Sequence, residues 1–225
     1  MSELKPLIQS HLAAQLGQDP AVEALAGWIT DQALAWTPPV VPLPEIDLIV
    51  AYAFGNRPQS DDPAAESWGG MVGGPVNSAL ADAVAQLHAQ RPVRIYAQWE
   101  IADDLVRRRG LSDVISIRPE TGPDGRLIYL STDGVARDII SREDRPLGRV
   151  AIIAHRDHAR RCVEVSRAAG LDAGIAEGLD LPGSYDPSSG QDWTRSREAY
   201  LLHDLMARLM GRRAEALARV QTTVT

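Results

Sequence analysis

The sequence predicts a doubly wound α/β fold: a three-layer α/β/α sandwich on a mainly parallel sheet of about five strands, with extra helices at the N-terminus. Three observations lead there. Short runs that are apolar throughout, such as "IDLIVAYA" (46–53) and "RVAIIA" (149–154), read as strands buried on both faces. From residue 46 onward such runs alternate with amphipathic helical stretches. A connector with four prolines, "TPPVVPLPE" (37–45), sets this region apart from what precedes it.

Taken in order, residues 3–16 and 20–36 place apolar side chains at helical spacing: Leu4, Leu7, Ile8, Leu12 and Leu16, then Val22, Leu25, Trp28, Ile29 and Leu34. Asp19-Pro20 is a helix start, with Asp as cap and Pro in the first turn. The proline connector is stiff and extended. The first strand (46–53) runs into a glycine-rich loop (54–75), a candidate lid, and a helix over 76–90. "VRIYAQ" (93–98) is the second strand, and the helix after it stops at Gly110. "DVISIRP" (113–119) is the third strand, "GPDG" (122–125) a turn and "RLIYL" a short strand. Ser131 or Thr132 caps the next helix. The fourth strand (149–154) leads into a helix ending near Ala169, and "DAGIAE" (172–177) is the fifth strand. A loop over 178–193 precedes a last amphipathic helix, 194–220. These boundaries define an N-terminal segment with its connector (1–41) and an α/β domain (42–225).

Composition narrows the function. A 44% hydrophobic content over 225 residues supplies a real core, built from aliphatic side chains because the chain has one phenylalanine. A net charge of −7 argues against general affinity for nucleic acid or anionic membranes. One cysteine, Cys162, precludes an intramolecular disulfide and suits a reducing cytoplasm. No secretory leader pattern opens the sequence, and no run is apolar for the roughly 18–20 residues a membrane span requires.

In a parallel sheet ligands sit beyond the carboxyl ends of the strands. The loops after Ala53, Gln98, Arg118 and Ala154 are therefore expected to face one another. The densest polar cluster there is "VAIIAHRDHARR" (150–161). His155 to His158 form the crossover loop and first helical turn, whose free N–H groups favour an anion, with Arg156, Arg160 and Arg161 adding charge. The alternative is a solvated helix start capped by Asp157. Two histidines three apart also allow a metal, but no second ligand cluster accompanies them. Gly55 permits a sharp turn after the first strand, and Asn56 and Arg57 can then reach a phosphate or carboxylate. Glu100, opening the helix after the second strand, is either a helix-dipole charge or a buried carboxylate paired with a histidine as acid and base. Trp193 reads as an anchor for the last helix.

The order of these motifs resembles the YdcF-like proteins, a family that includes the SanA and ElyC envelope proteins. The match is carried by "VAIIAHRDHARRCVEVSRAAGL" (150–171), on which His158 and Arg161 fall on the family's histidine and arginine. It is carried also by "YDPSSGQDWTRSREAYLLHDLMAR" (185–208), by Asp47 and Gly55 in the opening pattern, by Glu100, and by Thr132 and Ala136. It covers about residues 46–210. The family's Ser-Gly-Gly after the second strand is Ala97-Gln98-Trp99 here, and its Glu-Asn after the threonine is Gly134-Val135. The resemblance implies a Rossmann-like fold, a ligand contact for Thr132, and S-adenosylmethionine as a cofactor known for one member.

The expected function is an enzyme acting on an anionic or nucleotide-like small molecule. In it His158 and Glu100 are the catalytic pair, and Gly55, Asn56, Arg57, Thr132, His155 and Arg161 bind the ligand. A non-catalytic module binding S-adenosylmethionine or a nucleotide is the alternative. A third reading is a scaffold whose N-terminal helices mediate formation of a homodimer.

Overall fold

The computed structural model describes residues 3–58, 67–123, 127–144 and 146–223. The "GPDG" turn and the middle of the candidate lid lie partly outside them.

The chain divides into two compact units, Met1–Thr37 with Leu201–Thr225, and Pro38–Tyr200. The first contains α1 (Leu4–Leu16) and α2 (Pro20–Trp28). Asp19 caps α2 by accepting the Ala21 N–H at 2.7 Å, with Pro20 in the first turn. The helix expected to run to residue 36 instead widens into a π-helical turn over Ile29–Ala33. Arg208 donates to the carbonyls of Gln32 and Ala35, lies 4.5 Å over the Trp36 ring and pairs with Asp204, so it closes the end of that turn.

The larger unit holds, in order, β1 (Val40–Val41), β2 (Ile46–Ala51), β3 (Arg57–Pro58), β4 (Met71–Val72), α3 (Pro75–Gln90), β5 (Arg94–Gln98) and α4 (Trp99–Arg109). There follow β6 (Val114–Ile117), β7 (Glu120–Thr121), β8 (Leu127–Ile128), α5 (Thr132–Ser141), β9 (Arg149–Ile153), α6 (Ala159–Ala169) and β10 (Asp172–Ala176). The last helix, α7 (Arg197–Thr223), begins in this unit and continues in the other. It starts three residues later than its apolar spacing suggests, because Asp192–Thr194 form a 3-10 turn.

Among the described residues the central sheet has six strands in the order β1-β10-β9-β2-β5-β6, every neighbouring pair parallel. The fold is α/β and Rossmann-like, a three-layer sandwich. The sixth strand is the proline connector itself: Val40 and Val41 pair with Ile175 and Ala176 at the sheet edge. An edge position suits a proline-flanked strand, since one side of its ladder needs no donors.

Alternation along β2 builds two cores. Ile49 and Ala51 face α3 and α4, together with Leu80, Val84, Ile101 and Leu105. Leu48, Val50 and Tyr52 face α5 and α6, together with Val135, Ile139, Cys162 and Val163. Ser131 caps α5 through the Gly134 N–H, while Gly110 and Gly170 end α4 and α6 in the left-handed conformation. From β2 the chain proceeds through β5 to β6, then crosses back to β9 on the other side of β2. In folds of this kind the reversal point, above the carboxyl ends of β2 and β9, is where ligands bind. Among the described residues, no helix is long and apolar enough to cross a membrane.

Candidate functional site at the carboxyl edge

Two chain segments meet at that point: Tyr52–Arg57 after β2, and Ala154–His158 after β9. Because all six strands are parallel, the starts of α3, α4, α5 and α6 lie along the same edge.

The first segment is held by side chains from elsewhere in the chain. Asn77, fully buried in the first turn of α3, accepts the Phe54 N–H and donates to the Gly55 carbonyl, both at 2.8 Å. Gln98 accepts the Ala53 N–H at 2.9 Å. Gly190 N–H and the Ser189 hydroxyl donate to the Asn56 carbonyl. Gly55 has φ +71°, and a Cβ there would lie 2.7 Å from both the Ser189 and Thr194 hydroxyl oxygens. Its glycine therefore lets the 189–194 segment close over the loop. Asn56 is buried beside it. Arg57 makes a two-toothed ion pair with buried Asp186, at 2.6 and 2.8 Å, which holds the Asp186 carboxyl below its usual range.

The second segment contains two histidines with different environments. His155 is fully buried, its ring stacked on Phe54 at 3.9 Å between centroids. Its Nδ1 accepts the Asp157 N–H, so Nε2 carries the proton and donates to the Ser184 carbonyl at 3.2 Å. Burial pushes its pKa down to about 4, against the opposing pull of Asp157. His155 is thus a neutral structural pin at physiological pH. His158 immediately precedes α6, its ring 5.9 Å from that of Tyr200.

Asp157 does not cap α6. Its buried carboxylate accepts the Tyr185 hydroxyl at 2.8 Å and Arg197 Nε at 2.9 Å. Burial alone would raise the Asp157 carboxyl, but these two donors outweigh it and hold the group below its usual range. Tyr185 is pushed the other way, by burial and by the carboxylate it bonds. Arg161, one turn into α6, reaches the Thr132 hydroxyl at the start of α5 (3.3 Å) and the Tyr200 hydroxyl on α7 (3.2 Å). Tyr200 packs on Phe54 and His158, so the chain's one phenylalanine centres a ring cluster. Trp193, expected to anchor the last helix, is 41% exposed, while Tyr200 on that helix is buried.

Glu100 is buried in the first turn of α4 and lines a cavity of about 290 Å³ with Arg57, Gly73, Gly74, Asp103 and Arg107. The glycine pairs of the candidate lid, Gly69-Gly70 and Gly73-Gly74, fall within the described residues. Gly69-Gly70 turn the chain between Trp68 and Met71, and β4 pairs with β3. A Cβ on Gly73 would lie 2.8 Å from the Glu100 carbonyl, so the loop packs directly on α4.

Of the sequence-derived candidates, His158, Arg161 and Thr132 converge around Tyr200, and Gly55, Asn56 and His155 form the adjoining floor. Arg57 and Glu100 line the neighbouring cavity. The sequence reading missed Asn77, Tyr185, Asp186 and Tyr200, and gave Asp157 only as a helix cap. Among the described residues, no group of three or more His, Cys, Asp or Glu side chains is placed to hold a metal ion. Comparison with family models, curated proteins and solved structures finds no match.

Proposed function

We propose that the chain is a cytoplasmic, YdcF-like enzyme that transfers or hydrolyses a group on an anionic or nucleotide-like small molecule, bound at the carboxyl edge of the sheet above β2 and β9. One observation carries the reading: α5, α6 and α7 bring a hydroxyl, a guanidinium and a tyrosine together beside His158, at the point where strand order reverses. Arg161 binds the anionic group through charge-assisted hydrogen bonds, with Thr132 and Tyr200 setting the plane of its guanidinium. His158 moves the proton from its place beside Tyr200 at the start of α6. Glu100 orients or shares that proton from the neighbouring turn. His155 stays neutral and fixes the floor.

The second reading is a non-catalytic module holding S-adenosylmethionine or a nucleotide. It is favoured by how much of the edge is tied into the frame, Arg57 by Asp186 and His155 by Ser184.

Thermal unfolding with ATP, AMP, S-adenosylmethionine and inorganic phosphate tests both. A ligand at 100 times its dissociation constant stabilises by about 2.7 kcal/mol. Arg161→Ala is expected to abolish that gain and His158→Ala to abolish turnover, followed by mass spectrometry, while sparing the gain. Binding and turnover that survive both substitutions overturn the site; binding without turnover in the unaltered chain selects the second reading.

A further inference from the structure

The unit formed by Met1–Thr37 and Leu201–Thr225 is built inside out. Among its described residues the buried apolar side chains are Val22 and Ala26, while Thr30, Gln32, Asp204 and Arg208 are buried polar ones. Six apolar side chains of α7 point the other way. Leu202, Met206, Leu209, Met210, Leu217 and Val220 are 39–66% exposed. At helical spacing they fall in a stripe about 100° wide, the width of a core-facing helix surface. Asp204 and Arg208 lie on the opposite side of the helix, at 1% side-chain exposure each. A helix that hides an ion pair and shows water three leucines, two methionines and a valine is arranged for a second surface.

We propose that this face of α7 is the interface of a homodimer, packed against the same face of a second copy in antiparallel orientation. The stripe is self-complementary under reversal. Leu202 comes opposite Val220, Met206 near Leu217, and Leu209 opposite Arg213, which interrupts the stripe as its one charge. Such an isologous contact closes on itself. At about 100 Å² of apolar surface for a fully buried aliphatic side chain, the six residues withdraw roughly 350 Å² per copy. With the polar rim homodimers carry, the pair buries on the order of 1,000 Å², where specific interfaces begin. Antiparallel packing staggers the two Arg213 side chains, whose stems cover apolar surface while their guanidinium groups reach water.

Sedimentation velocity of the full chain over a concentration series tests this, with far-UV circular dichroism confirming the fold of each variant. The expected result is a reversible dimer of twice the chain mass. Met206→Glu is expected to raise its dissociation constant at least tenfold. Arg213→Leu completes the stripe and is expected to lower it at least tenfold, a gain that misfolding into a monomer cannot mimic. A chain that stays monomeric in both its unaltered and Arg213→Leu forms overturns the proposal. So does a folded Met206→Glu variant that dimerises unchanged, or a monomer that sediments with anionic vesicles instead.

Discussion

Each end of the parallel sheet carries a cavity, and the two differ in what surrounds them. At the amino ends of the strands Asp47, Gly148, Arg149, Gly170 and Asp172 line a space of about 440 Å³. Three of its charges are half in water: Asp47, Arg149 and Asp172 expose 46–57% of their side chains, while Glu143 is the one buried charge, accepting from Arg94 and Tyr96. At the carboxyl ends the space is smaller, about 290 Å³, yet Asn56, Asn77, Glu100, His155, Asp157, His158 and Asp186 along that edge are all buried. Water satisfies an exposed charged group at little cost, so those three charges constrain little. A polar group taken out of water is tolerated where partners are fixed for it. The carboxyl end concentrates such groups where the chain reverses strand order, so desolvated polarity, rather than volume, distinguishes a site from a crevice.

The largest contrast is expected at Asn77. Truncation to alanine leaves the Phe54 N–H and the Gly55 carbonyl buried without the partners they have now. At roughly 1–3 kcal/mol for each stranded group, Asn77→Ala should destabilise the chain by about 3 kcal/mol in urea unfolding. A loss under about 1 kcal/mol would mean that water reaches this edge as freely as it reaches the other.

Asn77 also marks the limit of what the sequence displays. The strands were legible because burial on both faces leaves an unbroken apolar run, and the helix ends because Asp19-Pro20, Ser131, Gly110 and Gly170 act within a few residues of themselves. His155, His158 and Arg161 stood out because a polar cluster directly after a buried strand is local too. The frame around them is not local. Asn77 bonds backbone 22 and 23 residues away, Gln98 bonds 45 away, and Arg57 finds Asp186 at a separation of 129. No spacing rule announces such pairs; only the strand order brings them together. The π-helical turn escaped notice for the same reason, since the Arg208 that closes it is 176 residues from Gln32.

The next contrast is in pH dependence. His155 titrates near 4 in the folded chain and near 6.5 when unfolded. Between those values the unfolded state binds the extra proton, so stability rises with pH there and is lost as pH falls from about 6.5 to about 4. The loss amounts to about 3 kcal/mol at pH 4. His155→Gln should flatten this segment of the profile, measured as urea midpoints at successive pH values. A variant profile parallel to the unaltered one would show that the imidazole is hydrated.

The smallest effect is expected at the amino edge. Asp47 accepts the Arg149 N–H at 3.0 Å and lies 3.9 Å from Arg91, arrangements that on paper match those of Asn77. Its side chain is 53% exposed, so water takes over the N–H when the carboxylate is removed, and the long ion pair is screened. Asp47→Ala should therefore cost no more than about 0.5 kcal/mol in the same urea titration. A cost approaching that of Asn77→Ala would place the asymmetry between the two edges in hydrogen-bond geometry instead of desolvation, and the ranking of the two cavities would have to be rebuilt on that basis.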